Sequence, residues 1–226
     1  LKFENILFKY QNSFLNGDAS LNTKSKIVLV DVNKSFFNNT DVFSFFYKSS
    51  SIPKSIANFG DINYSGQMSF LENKINAKGD LISKYGSILM NLDFSLDTNF
   101  LNSSYKGSLI FSDFDAGSYF NKKKLGNIKF TTLVEGSGLD RNTFFAKINL
   151  NDGEVVLNNY RYDNISLSGD ISSDFFKGDF LINDNNGKLK FSGLIDYSGD
   201  TPSYNFSSEL SKVNFKKLNL KINKSI

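Results

Sequence analysis

Residues 164–197 read NISLSGDISSDFFKGDFLINDNNGKLKFSGLIDY and contain three consecutive β-strand patterns. In each pattern, apolar residues and one glycine occupy alternate positions, and mostly Ser, Asp, Lys or Asn stand between them. A period of two places the two sets on opposite faces of a sheet. The three apolar rows are Ile165, Leu167, Gly169 and Ile171; Phe176, Gly178, Phe180 and Ile182; and Leu189, Phe191, Gly193, Ile195 and Tyr197.

The same alternation recurs along most of the chain and predicts an all-β fold. Strand patterns follow one another at intervals of about 10 to 15 residues, and no stretch shows the sustained i, i+3, i+4, i+7 row of an amphipathic helix. Asn151-Asp152-Gly153 predicts a hairpin turn between strands at 144–150 and 154–157, because Asp-Gly favours the positive φ of a tight turn. Asn186-Gly187 predicts a second such turn.

Three short segments interrupt the alternation. They are residues 41–46 (DVFSFF), 115–120 (DAGSYF) and 214–220 (NFKKLNL). Each opens with Asp or Asn, which are residue types favoured at helix N-caps, and then places apolar residues within the next turn or two. We expect short helical or turn insertions, and their recurrence indicates a loose internal repeat of several strands followed by an insertion.

Composition limits the classes of function. The 226 residues include no Cys and no His, and the formal net charge is +3. Disulfides, thiolate chemistry and imidazole bases are therefore excluded. Lys122–Lys124 is the one tight basic run, predicted to be a solvated turn, so we expect no nucleic-acid partner. We also expect no enzymatic activity, no catalytic residues, no cofactor and no metal site, with the carboxylates on the polar face or in turns.

A sheet with one apolar face must cover that face. It can fold onto itself as a closed sandwich, turn the face outward into a membrane, or curl into an open trough that shelters something apolar. Glycines within the apolar rows favour the trough, because they let strands bend towards that face, although they could also relieve crowding in a closed sandwich. These glycines are Gly66, Gly79, Gly107, Gly136, Gly169, Gly178 and Gly193.

The predicted fold is thus a long, curved and twisted antiparallel sheet that forms an open, U-shaped hydrophobic groove with short helical insertions. Its lining is drawn from the apolar rows of several strands. The residues predicted to line it are Ile62, Tyr64, Met68, Leu109, Phe111, Ile128, Phe130, Ile165, Leu167, Phe180, Leu189, Phe191 and Ile195.

Three stretches carry a resemblance to a known family. Residues 63–88 (NYSGQMSFLENKINAKGDLISKYGSI) are paired glycine-containing strands, and residues 105–140 hold a strand, the FDAG insertion, an LG turn and GSGLD. Residues 158–220 give the strongest match. In this order they resemble the TamB-like proteins of the AsmA superfamily, in the form found in Bacteroidota. The resemblance covers roughly residues 52–220, and about 1–50 match only loosely as leading strands.

The resemblance implies a segment of a bridge-like lipid-transfer protein whose β-sheet trough crosses the periplasm from an inner-membrane anchor. Such proteins move phospholipid for outer-membrane biogenesis and work with an outer-membrane partner of the Omp85 class. Because the chain opens abruptly in a strand, we expect residues 1–226 to be a single β-groove segment of a longer protein. Its membrane contact and its Omp85-class contact would then lie in regions outside this segment.

Two other functions remain open. The chain could be a periplasmic scaffold for outer-membrane protein assembly that pairs strands at its open sheet edges. It could also be a segment of a cell-surface adhesin or β-helix, which would show right-handed parallel coils rather than antiparallel strands.

Overall fold

A computed structural model describes residues 1–46, 58–97, 102–138 and 143–220. Residues 52–57, at the start of the family-like region, lie outside the described residues. Within the described ranges, thirteen strands form one antiparallel sheet in which each strand pairs with its neighbours in sequence. The strands are β1 Lys2–Tyr10, β2 Ser13–Asn22, β3 Ile27–Phe36, β4 Ile62–Leu71, β5 Lys74–Ser83, β6 Gly86–Ser95, β7 Ser104–Asp115, β8 Leu125–Ser137, β9 Phe145–Leu157, β10 Tyr160–Ser172, β11 Phe175–Asp184, β12 Gly187–Asp196 and β13 Ser203–Ser211.

The predicted all-β class, with an open antiparallel sheet and short helical insertions, is confirmed. The protein is all-β, with a single open antiparallel sheet and two short helices among the described residues, α1 (Asn39–Phe46) and α2 (Ala116–Phe120). The sheet does not close on itself, because β1 and β13 remain its two edges. This open strand order excludes a closed barrel, and all strands of the described ranges belong to one sheet rather than to two packed sheets. The antiparallel pairing of neighbouring strands excludes parallel coils.

One predicted hairpin is wrong and another is confirmed. β9 runs without interruption from Phe145 to Leu157, through the predicted turn. Asp152 does adopt a positive φ of 53°, but the result is a bulge, seen as register shifts in the pairing of β9 with β8 and β10. A residue in the left-handed region is compatible with a β-bulge, which adds one residue to a strand, as well as with a tight turn that reverses the chain. A two-residue turn at Asn185 and Asn186 joins β11 to β12, one residue before the predicted Asn186-Gly187, and Gly187 is the first residue of β12.

The three insertions are present, and two of them have the predicted capping hydrogen bond from the residue three positions later. The Asp115 carboxylate accepts a hydrogen bond of 2.9 Å from the Ser118 backbone N–H and caps α2. α1 begins two residues before Asp41, so Asp41 is not its N-cap. Residues 214–220 form a hydrogen-bonded turn in which the Asn214 side chain accepts from the Lys217 N–H at 3.1 Å.

All three insertions lie at the same rim of the sheet. Because neighbouring strands run in opposite directions, the odd-numbered strands all end at one rim, and the insertions follow β3, β7 and β13. We call this rim, with α1, α2 and residues 214–220, the plugged rim. The opposite rim, where the even-numbered strands end, is the open rim. An insertion placed after an odd-numbered strand always reaches the plugged rim.

The hydrophobic core consists of two clusters, both beside insertions. One contains Ile88, Phe114 and Ala116 and is packed against aromatic rings that include Phe59 and Tyr119. The other contains Leu150, Tyr162, Ile165 and Leu218. Leu218 belongs to the segment after β13, so this segment folds back over the sheet towards β10. The insertions therefore cover the end of the apolar rows nearest the plugged rim.

The seven glycines of the apolar rows are required by the backbone. A Cβ built on any of them would lie between 2.0 and 2.5 Å from a backbone atom of a partner strand. Gly66 and Gly193 also adopt φ values of 143° and 153°, which L side chains rarely adopt. At these positions the partner backbone occupies the space of a side chain, so the strands approach too closely for any residue other than glycine.

Candidate functional site

The strand register places the thirteen predicted lining residues on one side of the sheet, which we call the apolar face. Cross-strand partners connect twelve strands in a single row from β2 to β13, and alternation along each strand adds the remaining residues. The row is Gly17, Val32, Gly66, Gly79, Met90, Leu109, Thr132, Leu150, Leu167, Phe180, Phe191 and Ser208.

The apolar face is only partly shielded from solvent. Of the thirteen predicted residues, Tyr64 and Ile165 are buried, and the other eleven are partly exposed. No second sheet lies over them within the described residues, since all thirteen strands belong to one sheet. The face therefore presents apolar side chains that shield one another laterally but have no covering layer along most of their length.

Aromatic rings make the face continuous from strand to strand. Phe191 lies between Phe176 and Phe206, with ring centroids 6.0 and 5.0 Å away on the neighbouring strands. Phe111 and Phe130 form a similar cross-strand pair at 4.7 Å. Such contacts stabilise neighbouring strands and connect the apolar side chains of one strand with those of the next.

Sequence reasoning left out several residues of this face that the structure buries. They are mostly smaller side chains beneath larger neighbours, and the alternation that identified the predicted set also includes them. Thr132 is the polar member, and its hydroxyl donates to the Asn149 carbonyl oxygen at 3.0 Å, so it presents no free donor to the face. The additional residues are Val32, Ala77, Leu92, Thr132, Ala146 and Leu150.

The opposite face bears most of the polar side chains and has ion pairs between neighbouring strands, and it also exposes Leu29, Leu89 and Leu133 by 42% or more. Lys106 contacts Glu135 at 2.9 Å, and both Lys129 and Arg161 contact Glu154. Hydrogen bonding from the paired lysine lowers the pKa of each glutamate below its ordinary value. These contacts are exposed, so they contribute little to stability but keep this face hydrated.

A hollow of about 480 Å³ takes most of its lining from the polar face, including Ser168, Asp179, Ser192 and Lys190. The apolar face is an open surface along most of its length, since no second sheet lies over it within the described residues. A ligand of that face would be held by lateral contact along the strands, with one side left towards solvent or towards other parts of a larger assembly.

Two buried carboxylates accept hydrogen bonds from residues in or beside the turns of the plugged rim. Asp41 is 1% exposed and accepts hydrogen bonds from the Asn12 N–H at 2.7 Å and the Ser13 hydroxyl at 2.8 Å. Asp184 accepts from the Tyr160 hydroxyl at 2.6 Å and from the Asn186 N–H at 2.8 Å. No group of three or more potential metal-ligating side chains occurs in the described ranges. These acids therefore have a structural role that the local hydrogen bonds explain.

No helix in the described part of the chain is long and apolar enough to cross a membrane. Comparison of the chain with protein-family models, with curated proteins and with solved structures found no match. The resemblance to TamB-like proteins and the lipid-binding role of the apolar face therefore stay predictions.

Proposed function

We propose that the apolar face shelters phospholipid acyl chains in the periplasm, as part of a longer conduit between the inner and outer membranes that serves outer-membrane biogenesis. The observation that carries this proposal is the extent of the face. It crosses the sheet from strand to strand with apolar side chains that are partly exposed and lack a covering layer among the described residues.

The proposed mechanism is passive. Burial of apolar surface contributes about 25 cal/mol per Å², so an acyl chain is retained without specific polar contacts. Neighbouring positions offer similar apolar groups over part of the row, where Leu150, Leu167, Phe180 and Phe191 follow one another from β9 to β12. Movement from one strand to the next exchanges equivalent contacts, and the barriers to sliding along the row are therefore low.

The two rims give the bound lipid an orientation. Insertions cover the apolar rows at the plugged rim, whereas the open rim has no helical insertion among the described residues and includes short polar turns between β4 and β5 and between β10 and β11. Acyl chains would lie on the apolar face, and head groups would stay hydrated near the open rim.

The test is native mass spectrometry with lipid extraction on the chain purified without harsh detergent. We expect co-purified phospholipid, and we expect Phe191→Glu to remove it because a charge on the apolar face raises the cost of placing hydrocarbon there. Ser207→Glu is the matched control, because Ser207 lies on the neighbouring strand and on the polar face, paired with Ser192.

Circular dichroism separates loss of lipid from loss of fold. A second pair of variants, Leu109→Glu on the apolar face and Ser108→Glu on the polar face, repeats the comparison in the middle of the sheet. If both apolar-face variants unfold the chain while both controls fold, these side chains form a structural core and the proposal fails. A chain that is free of lipid and does not respond to added phospholipid also contradicts it.

The edge strand β13 favours a second function, a scaffold for outer-membrane protein assembly. Its register with β12 is unbroken over nine residue pairs, and its other edge has no partner strand within the described residues. Such an edge can pair with an incoming strand. Crosslinks from Asn205 to an outer-membrane protein, or to an Omp85-class partner, without lipid on the apolar face would support the scaffold.

A further inference from the structure

The plugged rim is rich in exposed lysines between β5 and β13. Lys84 lies in the β5–β6 turn, a run of three follows α2, and the remainder lie just after β13. Among the described residues, none of them belongs to an ion pair. The lysines are Lys84, Lys122, Lys123, Lys124, Lys212, Lys216 and Lys217.

Hydrogen bonds join the two larger lysine groups into one surface. The Asn158 N–H donates to the Lys124 carbonyl oxygen at 2.8 Å, and the Asn219 side chain donates to the Asn158 carbonyl oxygen at 3.0 Å. The turn between β9 and β10 thus connects the segment after α2 with the segment after β13. The two groups lie side by side along the rim, although about ninety residues separate them in sequence.

Each insertion at this surface has one group directed inward and one directed outward. In α2, Ala116 is buried and Phe120 is 58% exposed. In residues 214–220, Leu218 is buried and Phe215 is 42% exposed. Packing against the sheet explains the inward groups but not the exposed aromatic rings, which stand beside lysines. We call the exposed set the basic rim: Lys84, Phe120, Lys122–Lys124, Leu157, Lys212, Phe215–Lys217 and Leu220.

The opposite rim has the opposite charge over the same strands. Between β4 and β13 the described turns of the open rim, with the strand ends that adjoin them, carry five acidic residues and one lysine, Lys74. The acidic residues are Glu72, Asp97, Asp174, Asp196 and Asp200. The small net charge of the chain therefore conceals a separation of charge across the width of the sheet.

We propose that the basic rim docks on the surface of an anionic phospholipid bilayer. Lysines attract anionic head groups, and exposed aromatic and aliphatic side chains insert at the boundary between head groups and hydrocarbon. Leu157 and Leu220 favour a bilayer over nucleic acid, because bases stack on aromatic rings and gain little from isolated leucines. This docking is independent of lipid binding by the apolar face, so either proposal can fail without the other.

Co-sedimentation with vesicles tests the proposal. We expect the purified chain to bind vesicles of phosphatidylglycerol and phosphatidylcholine at low salt and to bind pure phosphatidylcholine vesicles weakly. Lys122→Ser with Lys123→Ser should lower the partition coefficient roughly 25-fold, since each lysine near an anionic surface contributes about fivefold. Lys24→Ser with Lys74→Ser changes the net charge equally at the open rim and should change binding less than about twofold.

A second pair of variants tests the apolar contribution. Phe120→Ser with Phe215→Ser should weaken binding to anionic vesicles at moderate salt, where charge alone is screened. Tyr197→Ser removes an exposed ring at the open rim and should leave binding unchanged. Lipid extraction on the same variants keeps the two proposals separate, because basic-rim variants should retain any lipid that co-purifies with the chain.

Three outcomes would overturn the proposal. The first is the absence of binding to anionic vesicles at low salt. The second is an equal loss of vesicle binding in the lysine variants of the two rims. The third is vesicle binding that is unchanged by Phe120→Ser with Phe215→Ser and is displaced by single-stranded DNA. That result would identify a surface for polyanions in general rather than for bilayers.

Discussion

The two rims of this sheet are built from the same strands but are stabilised in different ways. The plugged rim contains both hydrophobic clusters and the buried acids Asp41 and Asp184. The open rim has no helical insertion among the described residues, and of its five described acids between β4 and β13 three are exposed and two are partly exposed. The comparison indicates that the insertions supply the cover that a second layer provides in other sheets, and that they supply it along one rim only.

The glycines of the apolar rows lie in the middle of the strands, between the two rims. Replacing one of them should have the largest effect on stability. In Gly178→Ala the new Cβ would lie 2.3 Å from the Ser168 carbonyl oxygen. This oxygen belongs to the backbone of the paired strand β10, so it cannot move aside as a flexible side chain could. We expect a loss of about 3 kcal/mol or more in the free energy of unfolding, measured by urea denaturation. Gly199→Ala, where the nearest atom is 3.6 Å away, is the control and should change stability little.

Leu218 tests the plugged rim alone. It is 3% exposed within the cluster of Leu150, Tyr162 and Ile165, so Leu218→Ala should lower the free energy of unfolding by about 2 to 4 kcal/mol. Leu210→Ala deletes the same atoms from a side chain that is 60% exposed on β13 and should cost much less. Equal losses in urea denaturation would show that residues 214–220 do not anchor this rim.

Asp41 and Asp174 compare acids of the two rims. Asp41→Asn removes the charge that strengthens the hydrogen bonds from the Asn12 N–H and the Ser13 hydroxyl, and it turns an amide NH2 towards the Asn12 side-chain amide. A loss of about 1 to 2 kcal/mol is expected. Asp174 is exposed in the β10–β11 turn, and Asp174→Asn should be nearly neutral. A neutral Asp41→Asn in chemical denaturation would remove the structural role assigned to this carboxylate.

The smallest effect on stability is expected for Tyr105, which lies near the open rim. Burial raises the pKa of its hydroxyl from the ordinary value of 10.0 to about 12. Because the folded state holds the proton more tightly, this contribution to stability is complete below about pH 10 and is lost as the pH rises towards 12. Tyr105→Phe should therefore lose less stability than the parent chain over that range, and identical pH profiles would contradict this.

The alternation of apolar and polar residues was sufficient to predict the all-β class and the side of the sheet on which the thirteen lining residues lie. It failed at residues 151–153, since the positive φ of Asp152 fits both a turn and a bulge and the choice depends on pairing with β8 and β10. The role of Asp41 was also missed, because Asn12 and Ser13 lie almost thirty residues away in sequence.

The insertions lie at one rim because an even number of strands separates them. Counting those strands from the sequence requires correct strand boundaries. β9 illustrates the difficulty, because dividing it at the predicted turn would have reversed the direction assigned to every later strand. The basic rim was missed for the same reason. Lys122–Lys124 and Lys216–Lys217 meet only because Asn158 and Asn219 join their segments.

The most direct test of the central claim is photocrosslinking from one strand in cells. A photoreactive residue replaces Leu109 on the apolar face or Ser108 on the polar face, two adjacent and partly exposed positions of β7. If the apolar face carries acyl chains, phospholipid adducts form from position 109 and not from position 108. Equal labelling from both positions, or protein adducts alone from position 109, would contradict a lipid-carrying face.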